Sequence, residues 1–126
     1  MVKKEQTIAQ EFNTDVMKKM NSTASHIELF FRGKEWVFSY DELPAYIGRD
    51  DEQCQVVVSS PEVSRLHCVL EVHDNQIGIT DQSTNGTFIK IGQSESFAIR
   101  NSFYPLMGQG HIKLGGPLTL DDSELI

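Results

Sequence analysis

A chain of 126 residues with 39% hydrophobic content is the size of one domain, large enough to bury a core without disulfide or metal staples. Its 18 acidic against 11 basic residues give a net charge of -7, which argues against a general nucleic-acid or anionic-membrane surface but leaves room for a local arginine cluster. No run approaches the ~18 apolar residues of a membrane helix, and polar Glu5, Gln6 and Gln10 stand where a signal peptide would be apolar. The two cysteines, Cys54 and Cys68, have no second Cys or His nearby at ligand spacing, so no metal site is expected. Cys68 falls in an apolar strand pattern, where a buried free thiol is the common outcome. A disulfide has no support, and the expected location is cytoplasmic.

Residues 1–25 differ from the rest. Ile8, Phe12, Val16 and Met20 recur every four positions, with Lys and Glu on the other side, which predicts an amphipathic helix. Asn21-Ser22-Thr23 supplies stop and turn residues. Such a helix either packs on its own domain or docks a partner or a second copy. Its face is neither basic nor bulky enough for membrane association.

From His26 onward the pattern is that of short strands. Residues 27–31 and 35–40 flank the turn Arg32-Gly33 and read as a hairpin. Ala45-Tyr46-Ile47 leads into Gly48-Arg49, and Val56-Val57-Val58 forms a short apolar strand. The alternation over 66–72 turns back at Asp74-Asn75 into 76–80. Further strands are expected over 87–91, 97–99, 103–107 and 111–114, with glycines between them and 118–120 as a candidate closing strand. Many short strands without an intervening helical pattern mean a β-sandwich or barrel over 26–126. Leu125-Ile126, two apolar residues at the very end, suggest truncation.

Three loops carry the chemistry. The first holds Gly48-Arg49, the second Ser64-Arg65-Leu66-His67, and the third Ser83-Thr84-Asn85-Gly86-Thr87. Taken alone, the third is either a self-satisfied Asn-Gly turn or a donor set that grips an oxyanion and a peptide. If the loops share one end of the sandwich, Arg49, Ser64, Arg65, Thr84 and Asn85 become neighbours. Guanidinium forks match phosphate oxygens, hydroxyls complete the coordination, and an amide can pair with an extended main chain. For Arg49 and Arg65 the rival role is a surface salt bridge with Asp50 or Asp51. Nothing in the set activates a nucleophile: Ser64 and His67 lie close in sequence, but no carboxylate in that segment orients the imidazole. Asp50-Asp51-Glu52 reads as a solvated turn, and no metal or cofactor is called for. The set is a phosphate-binding site without a reaction.

Gly48-Arg49, Ser64-Arg65-Leu66-His67, Ser83-Thr84-Asn85-Gly86-Thr87 and Gly110-His111-Ile112-Lys113-Leu114-Gly115, in this order and spacing, resemble a forkhead-associated (FHA) domain of bacterial type over roughly 26–120. The resemblance implies an all-β sandwich of about eleven short strands that binds phosphothreonine peptides through loops at one end, in Ser/Thr-kinase signalling. It implies Arg49 and Ser64 as the main phosphate ligands, Arg65 as a second cationic contact, Thr84 as a further donor and Asn85 as the peptide grip. Gly48, His67 and Gly86 would be architectural. Two departures stand out: Gly108-Gln109-Gly110 replaces the usual acidic residue near the last strands, and the hairpin over 88–99 is long. The alternative is a scaffold with the same fold that assembles through its N-terminal helix. A combined reading has a kinase phosphorylate Thr7, Thr14 or Thr23 to create an internal or intersubunit ligand.

Overall fold

The computed structural model describes residues 20–23 and 25–118. Eleven strands form two packed sheets: β1 (Met20–Ser22), β2 (His26–Phe31), β3 (Lys34–Ser39), β4 (Ala45–Gly48), β5 (Val56–Val57), β6 (Cys68–His73), β7 (Gln76–Asp81), β8 (Thr87–Ile91), β9 (Phe97–Ile99), β10 (Phe103–Pro105) and β11 (Gly108–Leu114). One sheet runs β3-β2-β1-β11-β8-β9 and the other β10-β7-β6-β4-β5, with β4 and β5 parallel and every other pair antiparallel.

Alternation in the sequence places the core between the sheets. On β2 the buried residues are Ile27, Leu29 and Phe31, and on β11 Ile112 and Leu114. They meet Ile47, Leu70, Ile77 and Ile79 from the facing sheet in one continuous cluster. Leu106, after β10, and Ile89 of β8 close it. The expected β-sandwich is therefore what the chain forms. Ten strands lie where alternation and turn residues place them, within a few residues at their ends.

The eleventh strand is a correction. Met20 continues the four-residue spacing of the expected helix, yet it belongs to β1, fully buried. Met20 pairs with Leu29 on one side and Gly110 on the other. The physical reason is the gap between β2 and β11, whose facing backbone groups would otherwise lack ladder partners. The sandwich thus begins by Met20 rather than at His26, and Asn21-Ser22 are strand rather than turn. The remainder of the expected helix, 1–19, lies outside the described residues, as do 119–126 of the C-terminal region. The Gly108-Gln109-Gly110 departure also gains a role, because these residues open β11 and pair with β1.

The registers Ile47↔Cys68, Cys68↔Asp81, Leu114↔Thr87 and Thr87↔Ile99 bring the end of β4, the start of β6, the end of β7, the start of β8 and the ends of β9 and β11 to one edge of the sandwich. All three motif loops leave from that edge. The β1–β2 connection, which carries Thr23, lies at the other edge, since Ser22 pairs with Gly108 at the start of β11.

Candidate functional site

Gly48 ends β4 where it runs against the second loop. A β-carbon there would sit 2.2 Å from the Arg65 backbone oxygen and 2.9 Å from the His67 nitrogen, so no side chain fits. That contact lets the Arg49 N–H donate to the Ser64 oxygen (3.0 Å) and the Asp50 N–H to the Arg65 oxygen (3.1 Å). The first and second loops are thereby sewn together by backbone bonds. The exposed Arg49 side chain is aimed by a further bond, Nε donating to the Val63 oxygen at 2.9 Å. Its two terminal nitrogens have no other partner among the described residues.

Ser64, half-buried, accepts the Thr84 N–H on its Oγ at 3.1 Å. A hydroxyl that is accepting there keeps its own proton for another acceptor. Thr84 and Asn85 are exposed, and the Asn85 amide nitrogen donates to the Glu62 oxygen at 3.0 Å, tying the third loop to the second. Its amide oxygen has no partner among the described residues.

His67 is fully buried between the same two loops. Its Nδ1 accepts the Ser64 N–H at 3.0 Å, so the ring proton resides on Nε2, which donates to the Gly86 oxygen at 2.8 Å. Burial holds the imidazole below its ordinary pKa, opposed by the Gly86 carbonyl and the Asp81 charge. With one nitrogen accepting and the other donating, the ring is neutral and ties the second loop to the third. Gly86, at φ +92°, takes a conformation that favours glycine. Its oxygen also accepts the Gly115 N–H (2.9 Å), which joins the end of β11 to the site.

Arg65 behaves differently from Arg49. Its Nη2 forms a 2.9 Å ion pair with Asp50 Oδ2, although the side chain is 70% exposed. The salt bridge considered for both arginines is thus made by Arg65 and not by Arg49. Asp50 is the centre of its turn: it accepts the Glu52 N–H (2.9 Å) and the Gln53 amide (2.8 Å) besides Arg65. These three, in that order, hold its carboxyl below the usual range. The acidic run is a self-bonded turn, and no metal-type cluster occurs among the described residues.

One supporting residue escaped the sequence reading. Asp81, only 1% exposed, accepts the Ser83 hydroxyl (2.6 Å), the Thr87 hydroxyl (2.7 Å) and the Asn101 N–H (2.9 Å). Ser83 in turn accepts the Gly86 N–H at 2.7 Å. A buried carboxylate with several donors is a strong organiser, and here it sets the turn that presents Thr84 and Asn85. Its signal was an acidic residue at the mouth of a loop dense in hydroxyls. Cys54 and Cys68 are both free and buried, and burial raises both thiols.

With this geometry in view, the comparisons are direct. Residues 45–103 match the FHA domain model. Over that stretch, just under half of its length, the chain is similar to FHA domains. The structure extends the domain on both sides, since β1 to β3 and β11 complete one of the two sheets. Among solved structures, the Rv1747 FHA-1 domain of Mycobacterium tuberculosis aligns at 21% identity and TM-score 0.54, over 74% of this chain and 87% of that one. The MEK1 FHA domain in complex with a phosphothreonine peptide of HOP1 aligns at 24% identity and TM-score 0.57, over 74% and 90%. The MEK1 FHA domain in a further structure gives 19% identity and TM-score 0.56, over 95% and 94%. At these identities the likeness is one of fold. No curated protein matches the chain in sequence. No helix among the described residues is long and apolar enough to cross a membrane.

Proposed function

We propose that this FHA-like domain is a phosphothreonine-dependent peptide-binding module in Ser/Thr-kinase signalling, acting in the cytoplasm and without enzymatic activity of its own. The observation that carries the reading is the pairing of Arg49 and Ser64. Arg49 is pinned at Nε by the Val63 oxygen, which leaves the terminal fork of its guanidinium for an anion. On the adjoining loop, Ser64 Oγ accepts the Thr84 N–H and keeps its own proton for an acceptor. A fixed cation and an oriented hydroxyl on adjoining loops suit a phosphate, which carries about -1.5 to -2 charge near neutral pH.

The remaining residues fall into place around that pair. Thr84 adds a second hydroxyl, and the Asn85 amide reaches the peptide main chain. Arg65 adds positive potential at the rim, with one of its donors already engaged by Asp50. Threonine is favoured over serine by contact with its methyl group, worth about 0.8 kcal/mol by area. Catalysis finds no support in this geometry. The only imidazole beside Ser64 spends both nitrogens on backbone groups, so it cannot take the Ser64 proton. The MEK1 FHA domain bound to a phosphothreonine peptide supports the same reading.

Of the three threonines considered as internal ligands, Thr23 lies at the edge opposite the loops, with its Oγ1 bonded around His26. A phosphate on Thr23 therefore fits the site of a second copy rather than its own. Thr7 and Thr14 lie outside the described residues and keep both routes.

Fluorescence anisotropy with a labelled phosphothreonine peptide pool, its unphosphorylated twin and its phosphoserine twin tests the proposal. Micromolar binding of the first, no binding of the second and weaker binding of the third are expected. Equal binding of the phosphorylated and unphosphorylated pools would sink it.

A further inference from the structure

Arg100 belongs to none of the motifs that mark the site, yet the register puts it there. It follows β9 directly, and because Thr87 pairs with Ile99, Arg100 stands opposite Gly86. A β-carbon on Gly86 would lie 2.9 Å from the Arg100 Nη1, 3.1 Å from its Cζ and 3.5 Å from its Nη2. The guanidinium therefore rests against the face of Gly86 where any other residue would carry a side chain. The missing side chain of Gly86 has a use beyond its backbone angle: it admits a cation beside Thr84 and Asn85.

Three observations say that this cation is available to a ligand. Arg100 is exposed. Its side chain makes no hydrogen bond or ion pair among the described residues. Asp81, the buried carboxylate at this edge, already accepts from Ser83, Thr87 and the Asn101 N–H. By contrast, Arg65 has Asp50. In a chain of net charge -7, a guanidinium held at the rim of a binding edge with no partner among the described residues favours a negative group approaching there.

Arg49 leaves from the end of β4 and Arg100 from the end of β9, with Ser64, Thr84 and Asn85 on the connections between. An extended peptide whose phosphothreonine sits at Arg49 and Ser64 and whose main chain is held by Asn85 passes on toward Arg100. We propose that Arg100 is a specificity-determining residue that selects ligands with a second anionic side chain flanking the phosphothreonine, either a carboxylate or another phosphate. This inference rests on the phosphothreonine reading and sharpens it.

The test is a set of phosphothreonine peptides in one neutral background, carrying Asp, phosphoserine or Lys at each flanking position in turn. Affinities are measured for wild type, Arg100→Ala and Arg100→Glu, and the readout is the ratio of each charged peptide to the neutral one. Wild type is expected to favour the Asp peptide by roughly 2- to 5-fold at one position. The phosphoserine peptide gains more, as its greater charge requires. In Arg100→Ala the ratios collapse toward unity, and in Arg100→Glu they invert in favour of Lys. A merely structural role against Gly86 would not invert a charge preference. Wild-type ratios near unity at every position, or an acidic preference that survives both substitutions, would overturn the inference while leaving phosphothreonine binding intact. Failure of wild type to bind any phosphothreonine peptide would overturn the proposed function, and this inference with it.

Discussion

His67 donates through Nε2 to the Gly86 oxygen at 2.8 Å and accepts the Ser64 N–H on Nδ1 at 3.0 Å, so a single buried imidazole clamps the second loop to the third. The clamp works in only one protonation state. A second ring proton would point at the Ser64 N–H, donor against donor.

Acidification should therefore weaken the fold. Burial lowers the folded-state pKa of His67 below its ordinary value of 6.5. Below that value the unfolded chain binds more protons at this residue than the folded one, and stability falls with pH until the folded pKa is passed. The slope contributed by His67 is at most about 1.4 kcal/mol per pH unit. Urea midpoints at pH 7.5 and pH 5.5 for wild type and His67→Gln read it. The variant should be less stable at both and show the shallower loss; parallel losses would remove the titration argument.

Arg49→Ala should eliminate measurable phosphopeptide binding with little change in thermal midpoint. Each charge-assisted bond is worth about 1.5–3 kcal/mol, so losing two takes a micromolar complex beyond detection. Arg49→Lys should recover little, because a lysine has no Nε to anchor on the Val63 oxygen and no planar fork. Retention of near wild-type affinity by Arg49→Ala would remove this residue from the site.

Ser64 and Thr84 should not cost the same. Ser64→Ala removes a proposed phosphate donor and also orphans the Thr84 N–H that the hydroxyl accepts. Thr84→Val removes one hydroxyl and leaves the loop bonds in place. Titration calorimetry should show the larger loss for Ser64→Ala, by roughly 1 kcal/mol, the net worth of one hydrogen bond. The reverse order would contradict the geometry.

Gly48→Ala should damage stability and binding together. Its methyl would meet backbone oxygen at 2.2 Å, which no rotamer change relieves. Overpacking of this kind costs about 1–3 kcal/mol, and the strand must withdraw from the loop that orders Arg49 and Ser64. Guanidinium denaturation and peptide titration of the same sample check both effects.

Ser22→Ala should leave stability unchanged or raise it by up to about 1–3 kcal/mol. The Ser22 hydroxyl is buried in β1 with no hydrogen-bond partner among the described residues. A clear loss of thermal stability would show that the hydroxyl is satisfied.

Most of the sandwich was legible in the sequence because its strands alternate apolar and polar residues and end at turn residues. Both signals are local: Arg32-Gly33 and Asp74-Asn75 turn their hairpins through backbone conformations that those residues adopt. The motif residues were legible for a similar reason. Close approach demands glycine at Gly48, the proposed phosphate would call for guanidinium and hydroxyl, and the third loop announces itself by its density of short polar side chains.

The third loop is where local and tertiary information part. The order and spacing of the motifs imply that Thr84 and Asn85 face a ligand, and both are exposed. That Ser83 and Thr87 both lean on Asp81, that His67 holds Gly86, and that Arg100 lies against it depend on strand register. The same holds for β1, where a three-residue segment with helix-like spacing becomes the centre of a sheet because two neighbouring strands need it. Likewise, Arg65 rather than Arg49 pairs with Asp50 because the loop crossing decides which guanidinium faces the carboxylate. The amino-acid sequence alone determined the kinds of residue the site contains, through conformational preference and charge. Only the tertiary structure decided their partners, since hydrogen bonds and ion pairs between loops depend on distances that pairing and packing impose.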